Sequence, residues 1–399
     1  MEKQQPLPKT IWALGFVSLF MDVSSEIIHS LLPLFMVSVL GASLTMIGLI
    51  EGLGEGLALV VRVLSGSLSD KLGRRKLLIV AGYLMGTLSK PLFALAQGAG
   101  LVAAARSLDR IGKGLRGAPR DALVADVTPE AQRGAAYGLR QSLDSVGAFV
   151  GPILAIVLMS LLANDFRLVF WVAVIPGAIA LIVLIGFVKE PATPATRSDT
   201  GHLIASDIPA LGSAYWILVS IGIVFTLARF SEAFILIRAQ ETGLAAHWVP
   251  GMLAILSLFY ALGAYPAGRF SDRIGRTSLL NAGLLFLLLA HLTLALATHF
   301  IHVAMGAALW GLHMAFTQGI FAALIADVSA QRRRGTAFGL FGLASGIAVL
   351  LASVIAGLLW DNFGPAVTFY AGALFTLLTF IGFAIMRLRN IFFEDRRNK

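Results

Sequence analysis

From Leu168 to Val188 the chain carries no charged side chain. Much the same holds from Ile11 to Phe20, Leu77 to Leu95, Phe149 to Leu162, Leu279 to Leu296 and Ala366 to Met386. Roughly 20 apolar residues in a helix reach across a bilayer. Hydrocarbon offers no partner to a backbone N–H or C=O, so such a segment must satisfy its own. With the noisier stretches between them, about twelve segments qualify. At 57% hydrophobic and 13% charged residues, the chain has too little polar surface for a soluble protein of 399 residues. It reads as an all-α membrane protein of about twelve transmembrane helices, with little chain outside the lipid.

A net charge of +9 raises the question of nucleic acid, and the distribution of that charge excludes it. Lys71, Arg74, Arg75 and Lys76 share one loop, and Arg133 lies in the next loop of the same side. Arg269, Arg273 and Arg276 follow, then Arg332 to Arg334, then the run from Arg387 to Lys399. The loops near Gly41, Gly98, Asn164, Thr242, Phe300 and Asn362 hold little beyond Arg167 and Arg238. Basic loops on one side mark the cytoplasmic face. Both termini are therefore expected in the cytoplasm of a cell whose inner membrane the chain spans an even number of times. The start, MEKQQPLPKT, is followed by no small-residue cleavage site, so the first helix reads as retained. The chain has no cysteine, which excludes disulfides, thiolate catalysis and cysteine metal sites.

The chain repeats itself. ALVADVTPEAQRGAAYGL from Ala122 is matched by ALIADVSAQRRRGTAFGL from Ala323, and GSLSDKLGRRK from Gly66 by GRFSDRIGRTS from Gly268. Both pairs lie about two hundred residues apart, so two bundles of about six helices are expected, 1–188 and 213–399. The Pro-, Thr- and Ser-rich stretch 189–212 reads as a cytoplasmic linker. Repeats in the same orientation are related by an axis along the membrane normal, and their interface is where such transporters place a substrate path.

GSLSDKLGRRK resembles the signature loop between helices two and three of the major facilitator superfamily, G-x-x-x-D-[RK]-x-G-R-[RK]. Gly66, Asp70, Gly73, Arg74 and Arg75 stand at its positions, and Gly268, Asp272, Arg273, Gly275 and Arg276 form a degraded second copy. GLRQSLDSVGAFVGP resembles the helix-five antiporter motif of proton-linked drug exporters in that superfamily, through Gly138, Gly147, Gly151 and Pro152. Ala155 and Ile156 replace its terminal glycine pair. Arg106 stands where the family places a buried arginine in helix four. The resemblance covers essentially the whole chain. It implies two pseudo-symmetric six-helix bundles, alternating access and an acidic group in helix one that carries a proton.

Charged residues inside spans are costly and face a cavity or a partner. In FMDVSSEIIHSLLP, Asp22, Glu26, His29 and Pro33 share one helix face. Two carboxylates one turn apart in lipid resist joint ionisation, which makes Asp22 and Glu26 the candidate proton carriers. Further cavity candidates are Glu55 in helix two, Arg106, Asp109, Arg110 and Lys113 in helix four, and Arg140 and Asp144 in helix five. The second half offers Arg229, Glu232, His313 and Gln318. Most of the buried charge falls in the first half, so coupling chemistry is expected there.

These features support a secondary transporter of a small solute, with proton-coupled export as the first expectation. Proton-coupled uptake of an organic anion or metabolite uses the same residues. A divalent-metal carrier would use Asp22, Glu26 and His29, with His313, as oxygen and imidazole ligands. No cofactor is expected, and the partners are the solute, protons and the lipid around a monomer. HExxH, a nucleophile elbow and a P-loop are all missing from the sequence, which argues against an enzyme.

Overall fold

Pro33 interrupts the first pass. Its ring cannot donate to the preceding turn, and the computed structural model shows α1 (Lys9–His29) ending there and α2 (Leu32–Ser38) resuming beyond Leu31. The structure describes residues 7–190, 208, 211–274, 276–317, 320–329 and 333–388. Most of the expected linker, the tail beyond residue 388 and Gln318 lie outside the described residues, as do the side chains of the second signature loop at 268–277.

The first half continues with α3 (Leu44–Leu72), α4 (Arg75–Leu95), α5 (Ala99–Val127) and α6 (Arg133–Leu161). A broken sixth pass follows, α7 (Phe166–Val172) and α8 (Val174–Phe187). The second half opens on another broken pass, α9 (Gly212–Leu227) and α10 (Ala233–Glu241). No proline causes this break; the Ser231 side chain, one residue ahead of the Glu232 N-cap, accepts the Ala233 N–H at 3.2 Å. Then come α11 (Gly251–Ile274), α12 (Arg276–Ala295), α13 (Phe300–Thr317), α14 (Ile320–Val328), α15 (Arg334–Phe363) and α16 (Pro365–Leu388). Ten spans are long and apolar enough to cross a membrane among the described residues. The two remaining passes are α5, which is too charged to qualify, and α9–α10, which is too short in each piece. The result is an all-helical protein of about twelve passes.

Contacts divide the chain into two compact units: Met1–Leu40, Leu57–Asp199 and Ala246–Ala254 in one, Gly41–Gly56, Thr200–Ala245 and Ile255–Lys399 in the other. In the first unit α4 lies along α5, α1 along α6, and α8 along both α1 and α4. In the second α12 lies along α13, α9 along α15, and α16 along both α9 and α12. The pairings are the same, pass for pass, so the duplication read in the sequence is a duplication of packing. Ile11, Leu14, Val17, Met21, Ile79, Tyr83 and Leu184 form the apolar core of the first unit.

Close crossings position the polar residues. A Cβ on Gly82 would sit 2.6 Å from the Gly112 carbonyl oxygen, and one on Gly112 would sit 2.6 Å from that of Gly82. Helices α4 and α5 therefore touch backbone to backbone, as small-residue helix pairs do in membranes.

Candidate functional site

The polar interior of the first unit has two layers. In one, α1, α4 and α5 converge. Lys90 of α4 is fully buried and donates to Asp109 Oδ1 at 2.7 Å and to Ser25 Oγ at 3.0 Å. The Ser89 hydroxyl also donates to Asp109 Oδ1, at 3.4 Å. The other oxygen of Asp109 lies 3.5 Å from His29 Nε2, and His29 Nδ1 lies 3.5 Å from Glu26 Oε1. Arg110 Nη2 reaches both ring nitrogens, at 3.1 and 3.2 Å, and Arg106 Nη1 meets Nε2. Guanidinium groups only donate and ionised carboxylates only accept, so a neutral ring gives its single N–H to one carboxylate and accepts a guanidinium N–H at its other nitrogen. The ring thus links Glu26 of α1 and Asp109 of α5 with Arg106 and Arg110, which stand one turn apart on α5.

In the other layer, α5 meets α6. Arg140 donates to Asp144 at 2.6 Å, and Arg62 donates to Asp121 at 3.2 Å. Arg120 donates to Ser18 Oγ at 2.8 Å and to the Tyr83 hydroxyl at 3.3 Å, with Asp121 and Asp144 at 3.8 and 4.0 Å. The guanidinium of Arg116 lies over the Tyr83 ring, 4.7 Å from its centroid.

Asp22 lies between the layers on α1 and makes no ion pair among the described residues. Gly147 and Gly151 of α6 create the room for this face of α1. A Cβ on Gly147 would come within 2.9 Å of Asp22 Cβ, and one on Gly151 within 2.5 Å of Glu26 Cβ. The motif glycines thus seat the two carboxylates that the sequence singles out. The two acids do not share one environment: Glu26 turns to His29, and Asp22 does not.

The other expected residues are spread more widely. Lys113 is exposed, one turn along α5 from Asp109. Glu55 is half-buried on α3. Arg229, at the α9–α10 break, lies over the Phe225 ring at 5.3 Å, and Glu232 occupies the N-cap position of α10. His313 is fully buried; its Nδ1 donates to the Gly283 carbonyl at 2.9 Å. In the signature loop Gly73 has φ +61°, which only glycine adopts cheaply. Arg75 bridges Asp126 at 2.7 Å and Asp70 at 3.9 Å, Arg74 is exposed at the N-cap of α4, and Gly66 faces Ala118. Gly138 has no neighbour where a Cβ would stand, and Pro152 lies inside α6.

Sequence reasoning missed Lys90, Ser25 and His291. Lys90 had a signal: a lone cation in an otherwise apolar run ahead of Pro91 needs a buried partner. His291 had none, since its role is to give Nε2–H to the Ala228 carbonyl, 2.9 Å away, at the break of α9. Among the described residues no group of three His, Asp or Glu side chains comes together as a metal site. Two guanidiniums occupy the imidazole that the metal reading needs.

The Major Facilitator Superfamily model matches residues 14–244 and 217–398. An uncharacterized MFS-type transporter of Methanocaldococcus jannaschii, MJ1317, is 34% identical over 384 residues, 95% of each chain. The multidrug resistance protein MdtH of Yersinia pestis is 24% identical over 362 residues, 87% of this chain and 86% of that one. Among solved structures, the nucleoside transporter NupG superposes with a TM-score of 0.78 at 13% identity, over 95% of this chain and 99% of that one. A match along nearly all of the chain, on two halves that pack alike, makes this a multi-pass membrane protein and a secondary transporter by family: the chain belongs to the Major Facilitator Superfamily.

Proposed function

We propose that the protein exports a small solute across the cytoplasmic membrane in exchange for protons, with Asp22 and Glu26 as the proton-carrying groups. The observation that carries this reading is how the carboxylates of the first half are held. Lys90 holds Asp109 at 2.7 Å, Arg140 holds Asp144 at 2.6 Å, and Arg62 holds Asp121 at 3.2 Å. Asp22 has no such cation, and Glu26 has the His29 imidazole at 3.5 Å. A carboxylate without a close cation inside a membrane is costly in its charged form. These two are therefore the groups that gain and lose a proton as the halves alternate in access. His29, with Arg106 and Arg110 beside it, is a neighbour that can favour release. The multidrug resistance label on a 24% identical relative leans toward export. The arginines facing His29 favour a second reading, uptake of an organic anion with protons, through the same residues. The alternating basic loops support both termini in the cytoplasm, and the chain works as a monomer in this reading.

The test is gradient-driven flux in proteoliposomes, run with lipophilic cationic dyes and with small organic anions. An imposed pH gradient is expected to drive accumulation with the wild type. Asp22→Asn and Glu26→Gln are expected to lose accumulation and to keep exchange of solute for solute. If both variants fold and still accumulate solute on a pH gradient, the proton travels elsewhere and the proposal falls.

A further inference from the structure

The interior cations of the first unit fall into two groups. Lys90 has Asp109 at 2.7 Å, and Arg140 has Asp144 at 2.6 Å. Arg116 and Arg120 of α5 have no carboxylate so close among the described residues. Arg116 is 5% exposed, and its hydrogen bond goes to a backbone carbonyl, that of Gly82, at 3.4 Å. Its guanidinium lies over the Tyr83 ring. Arg120 directs Nη1 to the hydroxyls of Ser18 and Tyr83. Its nearest carboxylates, Asp121 and Asp144, stand 3.8 and 4.0 Å away. Each of those has a closer arginine, Arg62 at 3.2 Å and Arg140 at 2.6 Å. The Arg120 Nε–H is buried with no acceptor at hydrogen-bond distance. Tyr83 thus stands between two guanidiniums, one over its face and one at its hydroxyl, and neither is neutralised by a close carboxylate.

Lys113, Arg116 and Arg120 follow one another at spacings of three and four, so they share a face of α5. Lys113 is exposed. A lysine in the middle of a span faces water or a partner rather than lipid, so this face has a wet edge. A buried carboxylate without a cation discards its charge by taking a proton. A guanidinium stays charged, so its charge has to be met by an anion. The partners that Arg116 and Arg120 do have are a carbonyl, two hydroxyls and a ring. These fix the guanidiniums in place without cancelling their charge, which is the preorganisation an anion site requires.

We propose that Arg116 and Arg120, with Lys113 at the open edge, form a binding site for a doubly charged oxyanion of the phosphate type. Planar forks offer paired N–H groups to the oxygens of such a group, and three cations match its charge. The oxyanion is either a free inorganic anion or the acidic group of the solute; the second source rests on the organic-anion reading above. Asp22 is the resident carboxylate on which the same three cations act, together with Asp144 of α6. Its ionised form and a bound anion therefore oppose one another.

The test is the affinity of the purified full-length protein, in detergent, for inorganic phosphate and for phenyl phosphate. It is read from the rise in unfolding temperature at constant ionic strength. Arg116→Gln and Arg120→Gln are each expected to weaken binding about tenfold, the worth of one charge-assisted hydrogen bond. Asp22→Asn removes a carboxylate from the site and should bind at least as tightly as the wild type. Lys90→Met with Asp109→Asn removes a pair that neutralises itself and should leave the affinity unchanged. If the glutamine variants fold poorly, Arg116→Lys carries the test: it keeps the charge without the fork and should weaken binding in part. Equal affinity for the two probes assigns the site to a free anion, and tighter binding of phenyl phosphate assigns it to the solute. The site is overturned if neither probe stabilises the wild type, or if the arginine variants bind as the wild type does. Weaker binding by Asp22→Asn also overturns it. Arginine-dependent binding in a protein whose Asp22→Asn variant still accumulates solute on a pH gradient keeps the anion site and removes the proton reading. Proton-driven flux through Asp22 without such binding does the reverse.

Discussion

Lys90 has no route to water. Its ammonium group is held by Asp109 and Ser25, and both members of the ion pair are essentially unexposed, at 0% and 2%. Removing one member of such a pair leaves the other charged and alone, which costs about 3–5 kcal/mol, whereas replacing both with neutral groups is often tolerated. Lys90→Met is therefore expected to lower the unfolding temperature in detergent sharply, and Lys90→Met with Asp109→Asn to restore most of it. A single variant as stable as the wild type would show that the pair does not hold α4 to α5. The arginine beside His29 makes a different prediction. Arg106 meets the ring through a guanidinium whose planar fork a lysine lacks. Arg106→Lys is expected to keep the fold and lose most transport, measured as initial flux at matched protein levels. Full flux with lysine would mean that only the charge matters.

At the scale of elements, the glycines separate into those that hold a crossing and those that do not. Gly112 of α5 has no room for a methyl group beside the Gly82 carbonyl, and Gly138 of α6 meets nothing within 4 Å. Gly112→Ala should destabilise by roughly 1–3 kcal/mol through overpacking, and Gly138→Ala should be neutral or slightly stabilising, since alanine favours the helix by about 0.5–1 kcal/mol. Thermal unfolding of the two variants side by side checks both, and equal effects would refute the assignment. Nothing in the sequence separates these two glycines, because a close approach depends on which helix lies opposite. The passes themselves were legible as apolar blocks, and so was the duplication, because hydropathy and loop motifs are local. The break of α9 was not, since a serine and a histidine from another helix make it where a proline would have announced it. The face shared by Asp22, Glu26 and His29 could be read from helical spacing alone. Its division into one carboxylate bound to His29 and one standing apart could not, because the arginines that decide it come from α5.

The whole molecule is read as twelve passes with its basic loops inside, and α3 tests that reading with its own two ends. Ser43, just before it, and Lys71, in its last turn, are both exposed. A cysteine at Ser43 should label with an impermeant reagent from outside and one at Lys71 only from within; labelling of both from one side would refute the topology. The charge on α5 has a consequence that precedes any folded structure. Arg106, Asp109, Arg110, Lys113, Arg116, Arg120 and Asp121 all lie on this one helix. At mid-helix each such residue costs about 2.5–3.5 kcal/mol to insert, against at most about 0.6 gained per leucine. As it leaves the ribosome, α5 cannot enter the bilayer alone. A companion lowers that cost, and α4, made just before it, carries the Lys90 that pairs with Asp109. The ion pair would then be an assembly signal, formed while the protein is being born, and its loss would appear first as chain that never reaches the membrane.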